Sequence, residues 1–156
     1  MDPAPLLARL VHELLHGTVS PAVMSSYEQL CREDPFLSKT RALLSERMAG
    51  LMEEEIVTGL SEYIAVCFGL RKRDDSLRLM GSACGYSMPV SVVLFDALCR
   101  CGQLPSNMEA WLLRFLETLR RDGVRAGADS VLPGYSRCFD RCSRREPNFQ
   151  LRGQLL

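Results

Sequence analysis

The chain has 156 residues, of which 47% are hydrophobic and 24% are charged. This length and composition are typical of one globular domain with a sizeable core. The charges balance, with 19 basic and 19 acidic side chains, so no overall field favours nucleic acid or an acidic membrane surface. No apolar run reaches the roughly 20 residues that a membrane-spanning helix needs, and the N-terminus lacks the layout of a signal peptide. We therefore expect an intracellular protein with no nucleic-acid partner and no membrane anchor.

The seven cysteines are a high and odd count. Several fall on or beside apolar helical faces, where a free thiol behaves as a small hydrophobic side chain. This favours a reducing compartment, the cytoplasm or nucleus, over a secreted disulfide framework. Cys99, Cys101, Cys138 and Cys142 could be imagined as four zinc thiolates, but neither pair has the C-x2-C spacing of a zinc knuckle. The sequence does not decide whether they bind a metal.

Helix-start signals divide the first half of the chain into four helical patterns. Asp2-Pro3, Ser20-Pro21 and Asp34-Pro35 each place a capping residue before a proline in the first turn. A fourth helix begins near Glu53–Glu55, because three consecutive carboxylates suit the positive end of a helix dipole. Apolar residues recur at helical spacing in all four. In the first helix one face is shared by Leu7, Leu10, Val11, Leu14 and Leu15.

Three further patterns follow in the second half. The first is a small-residue helix over about Asp75–Ser87, in which glycine and serine would let neighbouring backbones approach closely. The second runs from Val90 to Cys101, and the third runs from Asn107 to about Arg121 after a Ser106-x-x-Glu109 capping box. No stretch shows the sustained alternation of a strand. The sequence therefore predicts an all-α fold, a single compact bundle of about seven helices with the small-residue helix at its centre.

Helical periodicity is lost after Asp122, where glycine, arginine and serine dominate and apolar residues thin out. A segment of this composition is typically extended or disordered. We therefore divide the chain into a helical domain, residues 1–122, and a basic, partly disordered C-terminal tail, residues 123–156.

The segment His12-Glu13-Leu14-Leu15-His16 matches H-E-x-x-H, the zinc-metalloprotease signature. Histidines four residues apart lie on one helix face and can share a zinc ion, with the glutamate as general base. Such an enzyme also needs a third ligand and a sheet edge that holds the substrate, and this chain shows no strand. We predict no catalytic residue, no metal ligand and no cofactor, and interpret both histidines as polar residues flanking an apolar stripe. A zinc metalloprotease is the alternative of a different class.

Three segments, Asp75–Tyr86, Val92–Leu98 and Trp111–Leu116, resemble the last three helices of poxvirus Bcl-2-like proteins. In that family a central helix with small residues and cysteine is followed by two shorter amphipathic helices. The Asn-Trp-Gly-Arg box of cellular Bcl-2 relatives is absent, and Asp75-Ser-Leu-Arg78 occupies its place. The resemblance implies a viral inhibitor, in the host cytoplasm or nucleus, that binds host signalling proteins and suppresses innate immune signalling through NF-κB. Other members of the group block apoptosis by binding death-promoting helices.

The same resemblance implies a partner-binding cleft. In that fold the second to fifth helices form a groove that accepts a partner helix. The residues that would line it here are Tyr27, Leu30, Leu44, Leu60 and Ile64. Each of them also fits an ordinary core position. An exposed helix face would in addition allow a homodimer.

A second resemblance covers Leu94–Leu104 and Leu112–Asp122, which are similar to the fourth and fifth helices of death-effector domains. The triplet Arg120-Arg121-Asp122 is similar to the Arg-x-Asp-Leu of that family, with Gly123 in place of the leucine. This resemblance implies a six-helix domain that starts near Thr40 and binds death-effector adaptors. Both resemblances imply an inhibitory intracellular adaptor that makes and breaks no bond.

Overall fold

The computed structural model describes residues 3–39, 53–81 and 88–144, apart from the side chains of Phe139 and residues 141–144. Over these ranges the chain is an all-α bundle, as the sequence predicts. None of the helices described is long and apolar enough to cross a membrane. The helices are α1 (Ala4–Leu15), α2 (Pro21–Glu33), α3 (residues 35–39 within the described part), α4 (Glu54–Cys67), α5 (Arg73–Gly81), α6 (Pro89–Cys101), α7 (Met108–Asp122), α8 (Val124–Val131) and α9 (Tyr135–Arg144).

Local capping signals set several of the helix ends. Ser20 precedes α2, and its hydroxyl oxygen accepts a hydrogen bond from the backbone N of Val23 at 3.3 Å. Such a side chain satisfies one of the backbone donors that a helix leaves unpaired at its start. At α7 the cap is Asn107, whose Oδ1 accepts from the backbone N of Ala110 at 2.9 Å. The capping residue is therefore one position beyond the predicted Ser106.

The centre of the bundle is the pair α4 and α6, which form the most extensive helix–helix contact in the described chain. Both helices are buried over most of their length. Gly59 of α4 permits this close approach, because a Cβ atom there would lie 2.9–3.1 Å from side-chain atoms of Leu94 on α6. Around this pair, α1 packs on α4 and α8 packs on α6, while α7 packs on α2.

The small-residue segment does not hold the central position over the part that is described. In α5 the side chains of Leu77 and Met80 join the core, but Leu79 is exposed. The helix also carries Asp74 and Asp75, whose charges oppose full enclosure. The remainder of the predicted helix, residues 82–87, lies outside the described residues. Among the described helices, α4 and α6 occupy the centre of the bundle, the position predicted for this segment.

Within the predicted basic, partly disordered tail, residues 124–144 form α8 and α9. Val124 and Ala128 are fully buried. The backbone N of Val124 donates to Oδ2 of Asp34 at 3.0 Å, although the two residues are 90 positions apart in the chain. This helix is stabilised by tertiary contacts that local composition does not reveal. The helical part of the chain therefore extends beyond residue 122.

Glu55 joins three helices from a buried position in the first turn of α4. Its Oε1 accepts a hydrogen bond from the hydroxyl of Tyr27 on α2 at 2.8 Å. Its Oε2 accepts from the backbone N of Val90 at 2.7 Å and so caps the start of α6. The hydroxyl of Ser91 donates to the carbonyl oxygen of Glu55 at 2.7 Å. A carboxyl group at this place also meets the positive end of the α6 dipole.

Removing the Glu55 side chain should therefore cost more stability than removing one of its partners. Glu55→Ala takes the acceptor from two buried donors, and we expect the free energy of unfolding to fall by about 3 kcal/mol. The matched control, Tyr27→Phe, removes one hydrogen bond and keeps the ring, so we expect a loss of about 1 kcal/mol. Urea unfolding followed by circular dichroism measures both. Equal losses would contradict the three-helix role of Glu55.

Candidate functional site

Helix α1 turns its histidines towards α4. Ala8 is buried, His12 follows it four residues later on the same face, and His16 is the C-cap residue four positions further on. Residues at this spacing lie above one another on a helix. Gly17 has a φ of +77° and lies just past the C-cap residue His16, where helices commonly end in glycine. The backbone N–H of Gly17, next to His16, donates a hydrogen bond to Glu53. This contact keeps the second histidine close to the start of α4.

The opposite side of α1 is apolar and exposed. Of the predicted stripe, Val11 and Leu15 are partly buried, whereas the other three leucines face solvent. Together with Leu6 these define a leucine face, with exposed fractions of 72% for Leu6, 43% for Leu7, 52% for Leu10 and 67% for Leu14. The helix forms where it was predicted, but most of its apolar stripe lies outside the core.

Three side chains that can bind a metal converge between α1 and α4: His12, His16 and Glu54. Nε2 of His12 lies 3.2 Å from Nε2 of His16 and 3.1 Å from Oε1 of Glu54. Nε2 of His16 lies 3.5 Å from Oε2 of Glu54. The three side chains are only 17–25% exposed. We call them the His–His–Glu cluster; among the described residues no other group of three such donors is found.

Glu53 holds the imidazole of His16 from the far side of the ring. Its Oε1 accepts a hydrogen bond from Nδ1 of His16 at 2.9 Å and a second from the backbone N of Gly17 at 3.0 Å. A carboxylate has no proton to donate, so the hydrogen of this imidazole sits on Nδ1 when the ring is neutral. The lone pair of Nε2 then points into the cluster.

Ser61 holds the imidazole of His12 in the same way. Its hydroxyl donates to the carbonyl oxygen of Thr58 at 3.1 Å. The hydroxyl proton is used in that bond, so the oxygen of Ser61 accepts from Nδ1 of His12, which lies 3.2 Å away. Both imidazoles are therefore oriented by residues at the start and middle of α4, with Nε2 directed towards Glu54.

The ion pair between His12 and Glu54 changes the pKa of both groups. The hydrogen bond to Glu54 raises the pKa of His12 above 6.5 and outweighs burial, which acts in the opposite direction. The same hydrogen bond lowers the pKa of Glu54 below 4.5. In the metal-free protein this shift favours a protonated His12 beside an ionised Glu54.

The structure gathers the two histidines of the H-E-x-x-H segment but not its glutamate. Glu13 is 58% exposed and pairs with Arg9 at 3.8 Å. The third donor is Glu54, which the sequence indicates only as part of a helix start. No strand occurs in the described ranges, so they contain no sheet edge of the kind that holds the substrate of a metalloprotease.

The residues predicted to bind a partner lie mainly in the core. Tyr27, Leu30 and Leu60 are buried, Ile64 is partly exposed, and Leu44 lies outside the described residues. A partner would reach the three buried side chains only if the surrounding helices separated. Their place along a cleft stays a prediction.

Three of the four cysteines considered as zinc ligands have side chains that the structure describes. Cys99 and Cys138 are partly buried and Cys101 is exposed, and all three are free thiols. The side chain of Cys142 is not among those described. Within the described part of the chain, no cysteine belongs to a group of three potential ligands.

No protein-family model, curated protein or solved structure matches this chain. The resemblances drawn from its sequence therefore stay expectations.

The His12–Glu54 pair predicts a pH-dependent contribution to stability in chelator-treated protein. A raised folded pKa means that His12 stabilises the fold fully below pH 6.5 and loses this effect as the pH rises through the folded value. A lowered folded pKa means that Glu54 contributes above pH 4.5 and loses its effect as the pH falls. We therefore expect His12→Asn to reduce the free energy of unfolding more at about pH 5.5 than at about pH 9.

Urea unfolding of the wild type and His12→Asn at the two pH values measures this difference. Glu13→Gln is a suitable control, because Glu13 is exposed and lies outside the cluster. A loss in His12→Asn that is the same at both pH values would contradict the ion pair.

Proposed function

We propose that this protein is a virus-encoded inhibitor of host innate immune signalling that acts by binding a host signalling protein in the cytoplasm. The leucine face of α1 is the contact surface in this proposal. The observation that carries it is the exposure of all four leucines on one side of a single helix.

The orientation of α1 is the reverse of what its composition favours. A helix on the surface of a bundle normally buries its apolar side and exposes its polar side. In α1 the histidines face inward, where Glu53, Glu54 and Ser61 bind them. Four of its five leucines are exposed, and only Leu15 packs against the core. Contiguous exposed apolar surfaces on folded proteins are characteristic of interaction sites. A partner helix that laid its own apolar stripe along α1 would bury the leucine face.

Charged side chains border the leucine face. Arg9 and Glu13 are both exposed and form an ion pair on the same helix. An apolar centre with a charged, hydrated rim is the usual composition of a protein–protein interface. The rim would help to orient a partner helix, while the leucines would supply most of the binding free energy.

The sequence resemblance indicates the kind of partner. The resemblance of the second half of the chain to poxvirus Bcl-2-like proteins supports a host protein of the NF-κB pathway. Capture of death-promoting helices is less favoured, because a helix in a groove contacts accessible side chains and Tyr27, Leu30 and Leu60 are buried. The mechanism is occupancy of a partner surface, and it requires no catalytic group.

Charges placed on the leucine face should abolish inhibition without unfolding the chain. We expect Leu10→Glu combined with Leu14→Glu to weaken partner binding at least about tenfold. Each substitution removes an apolar contact and places a charged carboxylate in a part of the interface that excludes water. The matched control is Leu104→Glu, since Leu104 is also an exposed leucine but lies outside α1.

An NF-κB reporter in stimulated human cells measures inhibition, and circular dichroism checks the fold of each purified variant. The wild type and Leu104→Glu should suppress the reporter, and the α1 double variant should not. A folded double variant that suppresses the reporter as well as the wild type would contradict the proposal. Light scattering on the purified chain would show whether the leucine face instead pairs two copies of the protein.

A further inference from the structure

We propose that His12, His16 and Glu54 form a binding site for a zinc ion, with two imidazole nitrogens and one carboxylate as protein ligands and a fourth position for water. This inference does not depend on the proposed partner. It concerns the inward side of α1, whereas partner binding concerns its outward side.

The distances among the ligand atoms fit a tetrahedral zinc site. With metal–ligand bonds of about 2.0–2.1 Å, two ligand atoms of such a site are about 3.3 Å apart. In the cluster the two Nε2 atoms are 3.2 Å apart, and the nearest carboxylate oxygens lie at 3.1 and 3.5 Å from them. The two carboxylate distances are to different oxygens, Oε1 for His12 and Oε2 for His16, and one ligand atom from each of the three residues lies within 4.8 Å of the others. A small rotation of the Glu54 carboxylate would place one oxygen with the two Nε2 atoms at three corners of a tetrahedron.

The tautomers prepare both imidazoles to act as ligands. A neutral imidazole binds a metal through the nitrogen that carries no hydrogen. Glu53 and Ser61 accept hydrogen bonds from the two Nδ1 atoms, so when both rings are neutral their Nε2 lone pairs face each other. Two lone pairs at 3.2 Å repel unless a proton or a cation lies between them, and Glu54 adds a negative charge at the same place. A divalent cation satisfies all three groups at once.

Glu53 and Ser61 also act as the hydrogen-bond acceptors that commonly support the histidine ligands of a metal site. Histidine ligands usually donate their other N–H to a carboxylate or another oxygen, which fixes the ring and increases its basicity. Here His16 donates to a carboxylate that is itself held by the backbone of Gly17. Such an arrangement is more than a surface ion pair requires.

The ligand set selects the class of metal. Imidazole nitrogens favour zinc and similar transition metals, whereas magnesium and calcium prefer oxygen ligands. Three protein ligands leave one coordination position open, unlike the four-ligand sets of purely structural zinc sites. Because the ligands come from α1 and α4, the bound ion would clamp α1 against the centre of the bundle and stabilise the folded state.

Calorimetric titration of zinc into the metal-free, reduced 156-residue chain tests the site. We expect one zinc per chain, no detectable binding to the cluster in His16→Ala, and binding in Glu53→Gln that is about 10–100 times weaker. Glu13→Gln should bind like the wild type, because Glu13 belongs to the same helix but lies outside the cluster. Wild-type affinity in His16→Ala, or no binding by the wild type, would overturn the proposal.

Cobalt gives a second measurement that needs no variant. The seven cysteines could also take up zinc, and a thiolate–cobalt bond produces a charge-transfer band in the near ultraviolet. We expect the wild-type chain with one equivalent of cobalt to show the visible bands of a tetrahedral ion without that charge-transfer band. A thiolate band at one equivalent would place the metal on cysteine and overturn the proposal even if His16→Ala failed to fold.

Discussion

The carboxylates of α4 determine how the rest of the bundle is arranged. Glu54 faces the histidines of α1, Glu55 bonds α2 and the start of α6, and Glu62 accepts hydrogen bonds from Arg71 and Ser76. Each of these groups is largely buried, and a buried carboxylate is tolerated only where donors or cations satisfy it. The central helix of the described fold therefore imposes polar partners on its neighbours, and those partners fix how each neighbour is rotated.

The rotation of α1 is the consequence that matters most for function. Because Glu53, Glu54 and Ser61 require donors, α1 presents His12 and His16 to α4 and leaves its leucine face outside. One helix thus carries two different surfaces: a polar one that attaches it to the bundle and an apolar one that is exposed to solvent. A zinc ion on the inner side would hold the helix in place while its outer side is bound.

The helices were predictable from sequence to the extent that their signals are local. The cap at Ser20 lies next to α2, and the apolar periodicity of α7 lies within that helix itself. Both helices form where expected. The cap of α8 comes from Asp34, 90 positions earlier, so no local pattern could reveal it. The same holds for the candidate site. The two histidines were visible as a motif, but Glu54 joins them only through the packing of α4 on α1.

The most direct test of this account is the protonation of the imidazole nitrogens, measured by long-range proton–nitrogen NMR. The chain has only two histidines, so their signals can be assigned without ambiguity. At about pH 8.5 in the presence of zinc, we expect both rings to carry the hydrogen on Nδ1 and none on Nε2. Rings that carry the hydrogen on Nε2 with zinc present would contradict the proposed zinc site between α1 and α4.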